Sequence, residues 1–279
     1  MLKKLSLLLR TSRPIMWPIP VLLFFIGMKL AHAPLTPESL VLLMFLLFPA
    51  NLFIYGINDI YDYESDKINP RKKGIVGRAL HPRFQPLVFR ISFLFAGLFL
   101  AASFVLGLAR GNLTSFFGVA LVLISGFVYS APPIRLKTRP FLDSIANVAI
   151  YYFGPLFIGW GQMSTLTALS PKAYILGIFV FGFHAFTTVF DYSVDKASGD
   201  RTSAVLLGKR VTALVAATAF IMPLIFTDFA YLGISAFLVL ACTFALIIAL
   251  YPSERLAAFF GWVLFFAAVA VALFYIIFF

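Results

Sequence analysis

Asn58, Asp59, Asp62 and Asp66 form an Asn-Asp-x-x-Asp-x-x-x-Asp run, and Asp191 with Asp195 repeats the Asn58/Asp62 step 133 positions later. On a helix, positions 58, 62 and 66 project three oxygen-bearing side chains from one face. Hard oxygen donors so arranged suit Mg²⁺, which keeps several waters and bridges one or two carboxylates to substrate phosphates. Asp59, Glu64 and Asp200 fall off these stripes and rank lower. One Asp-x-x-x-Asp is also what a solvated helix end looks like; two of them among basic residues point to a diphosphate held through Mg²⁺. Lys67, Arg71, Lys72 and Lys73 follow the first motif, and Arg135 and Lys137 lie in Tyr-Ser-Ala-Pro-Pro-Ile-Arg-Leu-Lys at 129–137. Arg grips phosphate oxygens bidentately and Lys acts as a compact point charge. Each basic residue has a competing role as an anchor at an anionic membrane surface.

The elements that carry these residues are apolar. Hydrophobic residues make up 62% of the chain and charged ones 12%, with a mean hydropathy of +0.99. Soluble domains average about 45–50% apolar, so a soluble fold is excluded. Apolar runs at 14–32, 39–58, 87–109, 113–130, 141–161, 173–191, 211–227, 229–250 and 256–279 each approach the length of about 20 residues that crosses a bilayer. The expectation is an all-α polytopic membrane protein with nine transmembrane helices in a single bundle, one domain over residues 1–279. The 133-residue offset between the motifs hints at a pseudo-repeat within it.

Charge orients this bundle. Of the 22 Lys and Arg, 19 fall on the side that carries the N-terminus, loops 59–86 and 192–210 and the 131–140 segment, leaving Lys29, Arg110 and Lys172 opposite. By the positive-inside rule that side is cytoplasmic. Seven of the eleven acidic residues gather there as well, which implies a cytoplasm-facing polar cavity, because carboxylates at span ends must be solvated, paired or bound to a cation. The net charge of +11 therefore reads as topology rather than as nucleic-acid binding. Lys3 and Lys4 before an apolar stretch ending in Ala31-His32-Ala33 resemble a cleavable leader, but Pro34 argues against cleavage and the stretch is kept as the first span. Cys242, the single cysteine, excludes an intramolecular disulfide. His184, two helical turns before Asp191, reads as a packing histidine.

The paired motifs, with Gly199, Thr202 and Gly208 after the second, Arg13-Pro14 opening the first span and Tyr-Ser-x-Pro-Pro at 129–133, resemble the UbiA superfamily of intramembrane prenyltransferases over essentially the whole chain. That resemblance implies Mg²⁺-dependent transfer of a prenyl group from an isoprenyl diphosphate to a hydrophobic acceptor drawn from the bilayer. It implies Asn58, Asp62, Asp66, Asp191 and Asp195 as metal ligands, and Arg71, Lys72, Arg135 and Lys137 as diphosphate ligands, with Asp62, Asp191, Arg135 and Lys137 carrying the catalysis. Lys67, Arg13 and Tyr129 join the substrate-binding set. Tyr129, Tyr151 and Tyr152 are candidates to stabilise an allylic cation through their ring faces. Some relatives have a third acid where this chain has Gly199. The segment from Asn58 to Lys72 looks most like the lycopene elongase branch, whose acceptor is the terminal alkene of a carotenoid and whose donor is dimethylallyl diphosphate.

Two other readings are open at this point. An aromatic acceptor of quinone, tocopherol or chlorophyll type would use the same donor site. An ion-coupled transporter would place its acids near the midplane, whereas these sit at span ends beside basic loops. Fusion of a reporter to the C-terminus tests the topology: a phosphatase active only outside the cytoplasm is expected to be active there, and an active cytoplasmic reporter at that end contradicts the charge reading.

Overall fold

The computed structural model describes residues 2–68 and 79–279. Among them every regular element is helical. In chain order these are α1 (Leu2–Thr11), α2 (Pro18–Leu30), α3 (Pro37–Tyr61), α4 (Tyr63–Ile68), α5 (Gln85–Arg110), α6 (Thr114–Ser130) and α7 (Leu142–Val148). Then follow α8 (Gly154–Trp160), α9 (Pro171–Thr188), α10 (Tyr192–Ser198), α11 (Ser203–Leu207), α12 (Lys209–Phe226), α13 (Leu232–Leu250) and α14 (Glu254–Phe278). A π-helical turn, Ala149–Phe153, joins α7 to α8.

Six stretches are long and apolar enough to cross a membrane: α3, Pro82–Arg110, Leu142–Trp160, α12, α13 and α14. Two bent pairs, Lys3–Met16 with α2 (59°) and α9 with α10 (71°), raise the number to eight if each is one span. The fourth apolar run of the sequence falls on α6, an apolar helix of 17 residues. The described residues thus support six to eight spans against the nine expected. Hydropathy registers apolar length but not the bends in two of those runs, and α6 is short of the roughly 20 residues that cross a bilayer.

The chain forms two compact units, residues 1–135 with 149–169, and residues 136–148 with 170–279. In the first, Phe24, Phe45, Leu46, Ile57, Val119 and Ile158 are fully buried at the centre of one core. Glycines let its helices approach closely: a methyl on Gly159 would overlap the Phe24 carbonyl of α2, and one on Gly27 the Leu156 carbonyl of α8. Small residues at crossings are the usual means of packing helices where the surrounding lipid is as apolar as the side chains. α3 begins with a reciprocal cap in which Thr36 and Ser39 each hydrogen-bond the other's backbone N–H. Beside Pro49, which lacks a backbone donor, the Asn51 amide donates to the carbonyls of Leu46 (2.8 Å) and Leu47 (2.6 Å).

In the second unit α12 packs against α9 and α13 around Phe186, Ala213, Ala216, Phe220, Ala241 and Leu264. Ala219 of α12 lies against Gly182 of α9, where an added methyl would displace it. Gly159→Leu is expected to destabilise the first unit by at least the roughly 1–3 kcal/mol typical of overpacking, seen as a lower thermal midpoint of the detergent-solubilised protein. An unchanged midpoint would show that the α2–α8 crossing is not close-packed.

Candidate active site

In the first unit the acidic motif sits where α3 gives way to α4. Asp62 caps α3, and the backbone ladder continues through it, with Asp62 N–H donating to the Asn58 carbonyl (2.9 Å) and Asp66 N–H to the Asp62 carbonyl (2.8 Å). The helical register assumed for positions 58, 62 and 66 therefore persists past the end of the long helix. Asp62 and Asp66 are buried, at 5% and 6% exposure. The Asn58 amide donates to one Asp62 oxygen (2.6 Å) and to the Ser130 hydroxyl (3.3 Å), while Arg135 Nη2 lies 3.4 Å from the other Asp62 oxygen.

Asp59 has a different partner. Its buried carboxylate accepts from Arg13 Nη2 at 2.6 Å, and the same guanidinium lies over the Tyr55 ring, 4.2 Å from its centroid. Arg13, expected in the substrate-binding set, is thus engaged by a carboxylate within the protein. Tyr55 lies beside Tyr151 of the π-helical turn, ring centroids 6.4 Å apart, and Tyr129 packs on the same core. The extra residue of a π-turn rotates the side chains that follow it, and such turns recur at functional sites. Tyr152 of the same turn is buried. Arg13 and Arg135 share an unusual backbone, with φ of 49° and 41° in the left-handed region. Non-glycine residues held there cost roughly 1–3 kcal/mol each and persist only where their surroundings over-determine them. The sequence pattern drew attention to both arginines but not to this feature.

Lys67 lies on the exposed side of α4, paired with Glu64 at 2.5 Å and 5.0 Å from the Tyr63 ring centroid. Its hydrogen bond to Glu64 holds the ammonium above its ordinary pKa. Arg71 and Lys72 lie outside the described residues.

In the second unit Asp191 stands at the N-cap of α10, and Asp195 N–H donates to its carbonyl at 2.8 Å, so the two acids occupy successive turns. Both are partly buried. Gly199 ends α10 with φ at 79°, a conformation that costs glycine little, and Asp200 N–H then returns to the Asp195 carbonyl at 2.9 Å. This reversal brings Asp200 to Lys137, 3.6 Å away and itself largely buried. Asp200 was ranked low on helical spacing, but it joins Asp191, Asp195 and Lys137 in one electrostatic cluster because the helix ends before it.

Among the described residues no three His, Cys, Asp or Glu side chains converge into a ready-made metal cage. Mg²⁺ bound with a phosphorylated substrate needs no such cage, only one or two carboxylates supplemented by phosphate oxygens and water. Asp62, Asp66 and Asn58 in the first unit and Asp191 and Asp195 in the second supply donors of that hard-oxygen type. The donor chemistry fits the ion.

The UbiA prenyltransferase family model matches residues 20–253. A lycopene elongase/hydratase of Corynebacterium glutamicum is 31% identical over 216 residues, covering 75% of this chain and 72% of the relative. A lycopene elongase/hydratase of Haloarcula japonica is 32% identical over 220 residues, covering 75% and 69%. The solved structure of a UbiA homolog from Archaeoglobus fulgidus bound to DMAPP and Mg²⁺ superposes with a TM-score of 0.65 at 19% identity, covering 95% of this chain and 98% of that one.

The Arg13–Asp59 pair has a direct energetic consequence. Removing one partner of a buried ion pair leaves the other charge uncompensated, at a cost of about 3–5 kcal/mol. Arg13→Met is expected to lower the thermal midpoint sharply, and Arg13→Met combined with Asp59→Leu to recover most of it. An Arg13→Met protein that melts like the wild type contradicts this assignment.

Proposed function

The chain belongs to the UbiA prenyltransferase family, and on that premise we propose that it transfers a C5 allylic group from dimethylallyl diphosphate to the end of lycopene or a related carotenoid. The observation that carries the donor side is Asp62, buried, hydrogen-bonded by Asn58 and faced by Arg135. The acceptor rests on the likeness to lycopene elongase/hydratases over three quarters of the chain. The helices make it an integral membrane protein. The distribution of Lys and Arg supports a site open to the cytoplasm, and we assign the protein to the plasma membrane.

Mg²⁺ bound by Asn58, Asp62 and Asp66, and by Asp191 and Asp195, would neutralise the charge that grows on the diphosphate as the allylic C–O bond breaks. The protein's own cations do the same work. Arg135, a third exposed and at the long end of ion-pair distance from Asp62, is placed to exchange the carboxylate for phosphate oxygens. Lys137 adds a compact positive charge beside the second acidic cluster. Arg13 remains with Asp59 and holds Tyr55 in place rather than touching the donor.

The C–O bonding pair leaves with the diphosphate, and the terminal alkene of the acceptor attacks the allylic carbon. The new C–C bond leaves a tertiary cation on the acceptor, which either loses a proton to restore an alkene or takes up water to give an alcohol. Tyr129 and Tyr151 offer ring faces that stabilise positive charge without attacking it. The apolar surroundings keep water from the first cation until the acceptor has reacted.

Expression in a host that makes lycopene and dimethylallyl diphosphate is expected to yield pigments enlarged by one and two C5 units, identified by mass. Unchanged lycopene together with a prenylated aromatic would move the acceptor to the other class. Asp62→Asn or Asp191→Asn is expected to cut turnover by about a hundredfold or more while the protein still inserts in the membrane. Near-wild-type turnover with either change contradicts the metal assignment.

A further inference from the structure

Asp143 was not marked by the sequence pattern; it sits inside an apolar run, in the first turn of α7. Its carboxylate has 0% exposure, and an ionisable group so placed in a membrane protein is costly and marks a function. Directly and through the hydroxyls of Ser144 and Ser203, it links three segments of the second unit. Oδ1 accepts from the Ser144 backbone N–H (2.7 Å), the Ser144 hydroxyl (3.3 Å) and the Ser203 hydroxyl (3.3 Å), with Oδ2 3.5 Å from Ser203. Ser203 Oγ in turn accepts the backbone N–H of Phe141 at 3.1 Å, a residue held at φ 69°. The Ser144 hydroxyl also meets His184 Nδ1 of α9 at 3.1 Å. The neighbouring Ala204 N–H donates to Thr188 Oγ1 at the end of α9.

These segments are the ones that carry the unit's chemistry. The 136–143 stretch bears Lys137, α9 leads into Asp191 and Asp195, and the turn before Ser203 bears Asp200. We propose that Asp143 is a positioning residue that ties the Lys137 segment to the turn bearing Asp200, and so sets Lys137 against the second acidic motif. The strained backbone at Phe141 agrees with this role, because a left-handed bulky residue persists only where its surroundings impose it. Lys137 meets Asp200 at 3.6 Å, and the Ser203–Asp143 and Ser203–Phe141 hydrogen bonds tie together the backbone segments that carry them. The carboxylate accepts from two hydroxyls and an N–H without having to donate. An asparagine there would keep one acceptor oxygen and present an amide N–H₂ to groups already oriented as donors.

The inference rests on the reading that Lys137 and the second motif hold the diphosphate. Its test uses the full chain in detergent, comparing wild type with Asp143→Asn and Ser203→Ala. Backbone hydrogen exchange without substrate is expected to quicken in the peptide spanning 199–208 in both variants, with α13 unchanged. The KM for dimethylallyl diphosphate is expected to rise about tenfold in Asp143→Asn and less in Ser203→Ala, with the carotenoid KM unaltered. Wild-type exchange at 199–208, or a loss of activity in which both substrates' KM values stay at wild type, overturns the positioning role. A wild-type chain that turns over no allylic diphosphate overturns the functional reading beneath it instead.

Discussion

Five of the eleven acidic residues, Asp59, Asp62, Asp66, Asp143 and Asp200, are buried in a chain whose helices are otherwise apolar. A carboxylate withdrawn from water needs positive charge or hydrogen-bond donors close by, or its ionised form becomes too expensive to keep. Much of the local structure around the two motifs follows from that requirement. Arg13 reaches Asp59, Arg135 and Asn58 reach Asp62, Lys137 reaches Asp200, and two serines and a backbone amide reach Asp143.

The two arginine pairs of the first unit answer the same requirement in different ways. Arg13 and Asp59 are both enclosed and meet at 2.6 Å, a short charge-assisted contact of structural character. Arg135 is more exposed and meets Asp62 at 3.4 Å, a looser contact of the kind that the proposed exchange for phosphate oxygens requires. Asp59 is thereby given to a contact within the fold, whereas Asp62 keeps the looser contact that its proposed role at the donor requires. Both arginines pay for their reach with left-handed backbone, the kind of local strain that collects at functional sites.

Spacing alone made the first motif legible, because the hydrogen-bond ladder runs through Asp62 and keeps 58, 62 and 66 in helical register. It says nothing of where Asp200 lies, since helical spacing does not apply once Gly199 reverses the chain. Asp59 was set aside as lying off the stripe, and that is why it can point to Arg13 instead. Asp143 leaves no mark in the pattern: one acid in an apolar run carries no periodic signal, and of its partners Ser144 is its neighbour and Ser203 lies 60 residues away. The apolar runs are helices, and six to eight of them are long enough for spans; the bends of 59° and 71° leave no mark in hydropathy, and α6 is a shorter apolar helix. Resemblance to a family supplied the activity, and matches to family and relatives carry it now.

The central claim is that the acidic motifs hold an allylic diphosphate through a divalent cation. The measurement that tests it most directly is equilibrium binding of labelled dimethylallyl diphosphate to the purified chain as Mg²⁺ is titrated. Affinity that appears only as Mg²⁺ is added, and disappears with excess chelator, is the predicted result; equal affinity in chelator and in Mg²⁺ would contradict the account.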